Sequence, residues 1–212
     1  MKTMKFNEET YQKQELILNA ARKVFRQKGF NSATVRDIAD EAGVNHALIN
    51  YYFKNKQNLL SAVLTNDLFS ELVKLSAVVN DPTKTWREML QAVIDYYTDY
   101  LLKDPDSQRF FFNEISLNNV LLSPDKKVSS MMRGSLLEKE LRKYNIDEDV
   151  AVQLLINAIS LTLSPVTIAP LVKAFGDFDD EAYRQIILER KDKIIPWVEA
   201  MYGIEAHKHA EK

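Results

Sequence analysis

Thr34-Val35-Arg36-Asp37-Ile38-Ala39-Asp40-Glu41-Ala42-Gly43-Val44-Asn45-His46-Ala47-Leu48-Ile49-Asn50-Tyr51-Tyr52-Phe53-Lys54-Asn55-Lys56 reads as two short helical patterns on either side of one glycine. Thr34-Val35-Arg36-Asp37 fits a capping box, in which the Thr34 hydroxyl accepts from the Asp37 amide while the Asp37 carboxylate reaches back. The helix it opens carries Ile38, Ala39 and Ala42 and meets Gly43, whose tolerance of positive φ suits a tight turn. Asn45 is placed to cap a second short helix, His46 to about Tyr52. Asn55 is placed to cap a third from near Lys56, with Leu59, Leu60, Val63, Leu64 and Leu68 on its inner face. Upstream, Ile17, Ala20, Ala21, Val24 and Phe25 recur on one helix face, and Gly29 after the basic Lys28 is a C-terminal stop. Two short helices about a turn, held against a first helix, are the parts of a helix-turn-helix.

The helical period continues downstream. Asp81-Pro82 breaks the chain, and Thr85-Trp86-Arg87-Glu88 is a second capping box that opens a helix through Met89, Leu90, Val93, Tyr97 and Leu101. Pro105 restarts the chain into Phe110-Phe111-Phe112 and Ile115, and Pro124-Asp125 opens a stretch through Met131, Met132, Leu136, Leu137 and Leu141. Asp147 begins a helix through Leu154, Leu155, Ala158 and Ile159 that is expected to end before Pro165. Asp179 or Asp180 caps a last long helix, which Pro196 should kink about four residues back. No alternating strand pattern of useful length occurs. The reading is all-α, about nine helices.

Composition narrows the chemistry. The chain has 212 residues, 46% hydrophobic and 27% charged, with 5 Gly and no Cys. Disulfides, thiolate metal sites and cysteine nucleophiles are thereby excluded. A Gly-rich phosphate loop, a Gly-x-Ser-x-Gly elbow and a His-Glu-x-x-His pair are also missing. An enzyme is therefore not expected, an all-helical enzyme working through carboxylates alone being the alternative. No cofactor is called for. His207 and His209, in a charged tail, read as a frayed end rather than a metal site. The N-terminus lacks the apolar core of a signal peptide, and the most apolar run, Leu154 to Pro170, is interrupted by polar residues and prolines. A cytoplasmic chain with no membrane partner is expected. The net charge of −2 conceals a division. Residues 1–62 hold ten basic and six acidic side chains, a balance of +4, and the rest hold 18 and 24, a balance of −6. A basic head, residues 1–62, and an acidic body, residues 63–212, suggest different partners for each.

With Ile38, Val44, Leu48 and Ile49 packed inward, His46, Ala47, Asn50 and Tyr51 fall on the outward side of the second helix. Asn pairs bidentately with adenine, and Ala or an aromatic edge meets a thymine methyl. Lys54, Lys56 and the following helix N-terminus are placed for phosphates, as is Tyr52 through its hydroxyl. Thr34 and Arg36 are placed for the same backbone or a groove edge. Plain solvated surface is the alternative for Asn50 and Tyr51.

Phe25-Arg26-Gln27-Lys28-Gly29-Phe30, Thr34-Val35-Arg36-Asp37-Ile38-Ala39, Ala42-Gly43-Val44 and Tyr51-Tyr52-Phe53-Lys54-Asn55-Lys56 with Leu59-Leu60, in this order and spacing, resemble the DNA-binding domain of the tetracycline-repressor (TetR) family. The resemblance covers roughly Gln14 to Leu64. It departs at Asn45, where the family usually has a small hydroxyl residue, and near His46 and Ala47, so no operator sequence carries over. The resemblance implies a homodimer on an inverted-repeat double-stranded DNA operator, each subunit joined by its fourth helix to a larger helical body with a small-molecule pocket. It further implies a repressor released when a ligand, here an unidentified and mostly apolar one, changes the separation of the recognition helices; a regulator with no small-molecule ligand is the alternative. Tyr97, Phe111, Glu114, Met132 and Asn157 are the candidate pocket residues, core filling being the plainer role for the aromatics and for Met131 and Met132. In the family context, Leu155, Ala158, Ile159, Thr162, Ile187, Ile194 and Val198 mark a dimer seam on the last two long helices, with internal core as the alternative.

Overall fold

The computed structural model describes residues 2–105, 110, 112–115 and 133–204, with side chains from Glu8 onward. Among these residues the chain forms nine helices of seven or more residues and no strand, so the protein is all-α. They are α1 (Lys2–Ser32), α2 (Val35–Ala42), α3 (His46–Phe53), α4 (Lys56–Val79), α5 (Trp86–Lys103), α6 (Leu136–Arg142), α7 (Glu148–Thr167), α8 (Ala169–Gly176) and α9 (Asp180–Tyr202).

Two compact units emerge: Met1–Phe69 with Phe110–Leu122, and Ser70–Arg109 with Ser123–Lys212. The division falls inside α4 at Phe69 rather than at residue 62. The reason is packing, because Leu59, Leu60, Val63 and Leu64 are buried in the head's core with Leu68 packed against it, and Phe110, Phe112 and Ile115 cover the same cluster. Ile17, Ala21, Phe25, Ile38 and Ile49 complete that core. Each large apolar side chain so buried contributes roughly 1.5–3 kcal/mol. The Arg22 guanidinium forks onto the Asp67 carboxylate, with Nε donating at 2.9 and 3.0 Å, and so ties α1 to α4. At Gly29 the backbone leaves helical geometry (φ 72°, ψ 162°), which breaks α1 where the sequence places its stop.

In the second unit α5, α7 and α9 pack against one another, burying Trp86, Leu90, Ile94, Leu154, Ala158 and Val198. Arg87 of α5, lying over the Trp86 ring, forms an ion pair with the buried Glu199 of α9. Caps occur where the sequence places them: Thr85 with Glu88, Asp147 for α7, Asp179 for α9. One expectation is overturned. α7 runs through Pro165 to Thr167 instead of stopping before it. Proline has no N–H, so the Leu161 carbonyl loses its helical donor. The Arg190 guanidinium of α9 donates to that oxygen instead, at 3.4 Å. The Tyr183 hydroxyl donates to the Pro165 carbonyl at 3.0 Å, so this stretch is held from the neighbouring helix at two points. α7 also has the length and apolar character of a membrane span, with mean hydropathy 1.6, but here its Leu154, Leu155 and Ala158 are core.

Candidate nucleic-acid interface

The outward face is built from two caps and one glycine. The Thr34 hydroxyl accepts from the Asp37 amide at 3.1 Å, and the Asp37 carboxylate accepts from the Thr34 amide at 2.9 Å, closing the capping box. The Lys28 ammonium donates to the same carboxylate at 2.7 Å. This ion pair, with the Thr34 hydroxyl and amide, pulls the Asp37 carboxyl down to about 2. α2 ends at Gly43 in the left-handed region (φ 63°), and the Val44 amide donates back to the Ala39 carbonyl at 3.0 Å. That six-residue closure is a Schellman turn. Asn45 then caps α3, its side-chain oxygen accepting from the Ala47 amide at 2.9 Å.

The register this sets is the expected one. On α3 only Ile49 is fully buried, Leu48 is half-buried, and His46, Ala47, Asn50 and Tyr51 are exposed, Tyr51 at 78%. Asn45, Thr34 and Arg36 are exposed beside them, and a cleft of about 490 Å³ lies between α2 and α3, lined by Arg36, Ala39, Asp40, Val44, Asn45 and His46. Tyr52 is half-buried between Tyr51 and Phe53, with edge-to-face ring contacts at 5.1 and 6.3 Å. α3 leaves through Lys54, whose φ of 66° and ψ of −46° are those of a γ-turn, closed by the Asn55 amide donating to the Phe53 carbonyl at 2.8 Å. Asn55 then caps α4, accepting from the Asn58 amide at 2.8 Å.

The basic residues divide into two groups. Arg22, Lys23 and Lys28 are held by Asp67, Glu41 and Asp37. Lys56 is turned inward onto backbone carbonyls. Arg36 and Lys54 form no ion pair among the described residues and stand free at either end of the α3 face. Local spacing carries no sign of the Lys56 contact, whose partners lie more than twenty residues earlier.

The body candidates fall in several places. Tyr97 is buried in the core of the second unit, and burial first, then the nearby Glu71, pushes its hydroxyl up to about 12. The Asn157 amide donates to the Tyr202 hydroxyl at 2.7 Å. Glu114 belongs to the first unit, and Phe111 and Met132 lie outside the described residues, as do His207 and His209. Of the seven seam candidates, Leu155, Ala158, Thr162, Ile187, Ile194 and Val198 are buried within the protomer, and Ile159 is half-buried. The exposed large apolar side chains of the same two helices are Ile156, Trp197 and Met201. No group of three or more His, Asp or Glu is arranged to hold a metal among the described residues.

A helix-turn-helix with its second helix presented to solvent, followed by an all-helical body, is the build of a DNA-binding regulator. Residues 17–63 match the profile of the bacterial regulatory proteins, tetR family. The transposon Tn10 TetC protein of Escherichia coli is 26% identical over 196 residues, 87% of this chain and 93% of that protein. Other curated relatives are matched over about half of their length. Two solved structures share the fold. A candidate TetR-family transcriptional regulator from Mesorhizobium loti has a TM-score of 0.64 at 14% identity, covering 91% of this chain and 97% of its own. FadR from Bacillus subtilis, crystallised with stearoyl-CoA, has a TM-score of 0.54 at 18% identity, covering 85% and 95%. Residues 17–63 are thus a tetR-family DNA-binding segment, and the chain as a whole shares the fold of these regulators.

Proposed function

We propose that this protein is a dimeric, sequence-selective DNA-binding transcription regulator, a repressor released from its operator by a small molecule, and that it catalyses no reaction. The observation that carries the reading is the exposed α3 face, His46, Ala47, Asn50 and Tyr51, bracketed by the unpaired Arg36 and Lys54. In this reading Asn50, with its neighbours, reads base edges in the major groove, while Arg36, Lys54 and the Tyr52 hydroxyl grip the backbone. The Thr34 hydroxyl is not free to join them, because it donates to the Asp37 carboxylate at 2.8 Å. A symmetric dimer on an inverted repeat needs about 34–36 Å between recognition helices. A spread of a few ångströms then releases it. Dimerisation runs through α7 and α9, whose inward stripes form the protomer core and whose outward faces present Ile156, Trp197 and Met201. An apolar effector fits the aromatic body and the acyl-CoA bound by FadR.

The test is a footprint on the DNA upstream of the protein's own gene and neighbouring promoters across a salt series. Selective, salt-dependent protection of an inverted repeat is expected. Uniform retardation of all sequences, or none, overturns the reading.

A further inference from the structure

We infer that Lys56 acts as a positioning residue that clamps the α1–α2 junction by its ammonium, rather than as a phosphate ligand. Its Nζ donates to the Phe30 carbonyl at 2.8 Å, the Ala33 carbonyl at 2.9 Å and the Asn31 carbonyl at 3.5 Å. An ammonium has three N–H donors, and all three are spent. The same Nζ lies 4.5 Å from the centroid of the Phe30 ring, which packs in turn on the buried Phe25 at 5.7 Å. A cation over an aromatic face gains further electrostatic attraction.

The place matters as much as the bonds. The Phe30 and Asn31 carbonyls belong to the last residues of α1, beyond its break at Gly29, where a helix has no amide of its own to satisfy them, and the Ala33 carbonyl lies in the link to α2. A positive charge there also meets the negative end of the helix. Lys56 thus supplies from α4 the C-terminal cap that α1 lacks. Ala33, one of its partners, precedes Thr34, the cap of α2. Lys56 itself follows Lys54, where the chain leaves α3, by two residues. One side chain therefore pins both the entry to α2 and the exit from α3, and with them the attitude of the α3 face.

This rests on the DNA-binding reading, and the experiment separates the two. Lys56→Met removes the charge and all three donors while keeping the stem. Amide hydrogen exchange, which needs no DNA, should quicken about tenfold or more across residues 29–35, with α9 unchanged. Exchange at the wild-type rate there overturns the clamp whatever the protein binds. Affinity is then measured, on protein shown folded by circular dichroism, for a duplex selected by the wild-type protein from a random-sequence pool. The clamp predicts about tenfold weaker binding at every salt concentration with the wild-type salt slope. A phosphate ligand predicts a slope lower by about one per protomer, the result expected of Lys54→Gln. That lower slope for Lys56→Met, or unchanged affinity, overturns the positioning role. Should Lys56→Met not fold, Lys56→Gln, which removes the charge and shortens the reach, carries the test on the same two readings: faster exchange at residues 29–35 with the wild-type salt slope supports the clamp, and wild-type exchange there or a lower slope overturns it.

Discussion

The Arg190 guanidinium, reaching from α9, serves the Leu161 carbonyl that Pro165 leaves without a donor in α7. A proline inside a helix costs about 3 kcal/mol when its freed carbonyl and ring clash go uncompensated. Here part of that loss is offset by a neighbour, which is why the helix continues past the proline.

The compensation is measurable by a double-mutant cycle. Arg190→Ala is expected to destabilise by about 1–2 kcal/mol, through the orphaned carbonyl and the loss of the guanidinium stacked 5.0 Å over Trp197. In a Pro165→Ala background the amide returns, and the same change should cost about 1 kcal/mol less in urea unfolding. Strictly additive effects would show that the carbonyl does not depend on Arg190.

Arg87→Ala should destabilise by about 2–3 kcal/mol, because it strands the buried Glu199 carboxylate and uncovers Trp86. Glu199→Gln in the same background should recover part of the loss, since the uncompensated charge is what costs most.

Gly43→Ala is expected to cost about 1–2 kcal/mol. A Cβ there meets no atom within 4 Å, so the penalty comes from the left-handed φ of 63° and not from crowding. Gly43→Asn should be milder, because asparagine enters that region more readily. Equal losses for the two would contradict this account.

Asn50→Ala should relax discrimination at one base pair by roughly 1–3 kcal/mol and leave the salt slope alone. Competition binding against single-base variants of the selected duplex checks this. Loss of affinity that is the same for every variant would place Asn50 off the base edges.

Acid should loosen the head through Asp37. Its folded-state value, about 2, lies below the ordinary 3.8, so its contribution is present above about pH 4 and is lost as the pH falls toward 2. Asp37→Asn should flatten that part of the stability profile of the N-terminal unit. A Lys28→Met variant, lacking the principal partner, should move the same midpoint upward.

Much of this architecture was legible beforehand, and the reasons are local. Thr34, Asn45, Asn55, Thr85, Asp147 and Asp179 cap helices within three residues of themselves, and each was visible as a short pattern. The exposed set on α3 followed from a single period and the position of Ile49. What stayed hidden depends on distant partners. Periodicity shows that Leu155, Ala158 and Ile194 share faces, but whether a face meets its own protomer or another is decided by α5, far away in sequence. Pro165 reads as a stop because Arg190, its remedy, lies 25 residues on. The reach of Lys56 back to Phe30 has no signature in either stretch taken alone.

The exposed α3 face, His46, Ala47, Asn50 and Tyr51, contains no Lys, Arg, Asp or Glu. Under the DNA-binding reading, grip and vocabulary therefore reside in different residues. Substitutions at Ala47 or Asn50 can retune which sequence is favoured while the ionic hold stays the same, so a duplicated copy could acquire a new target in a few mutational steps without first losing its hold on DNA.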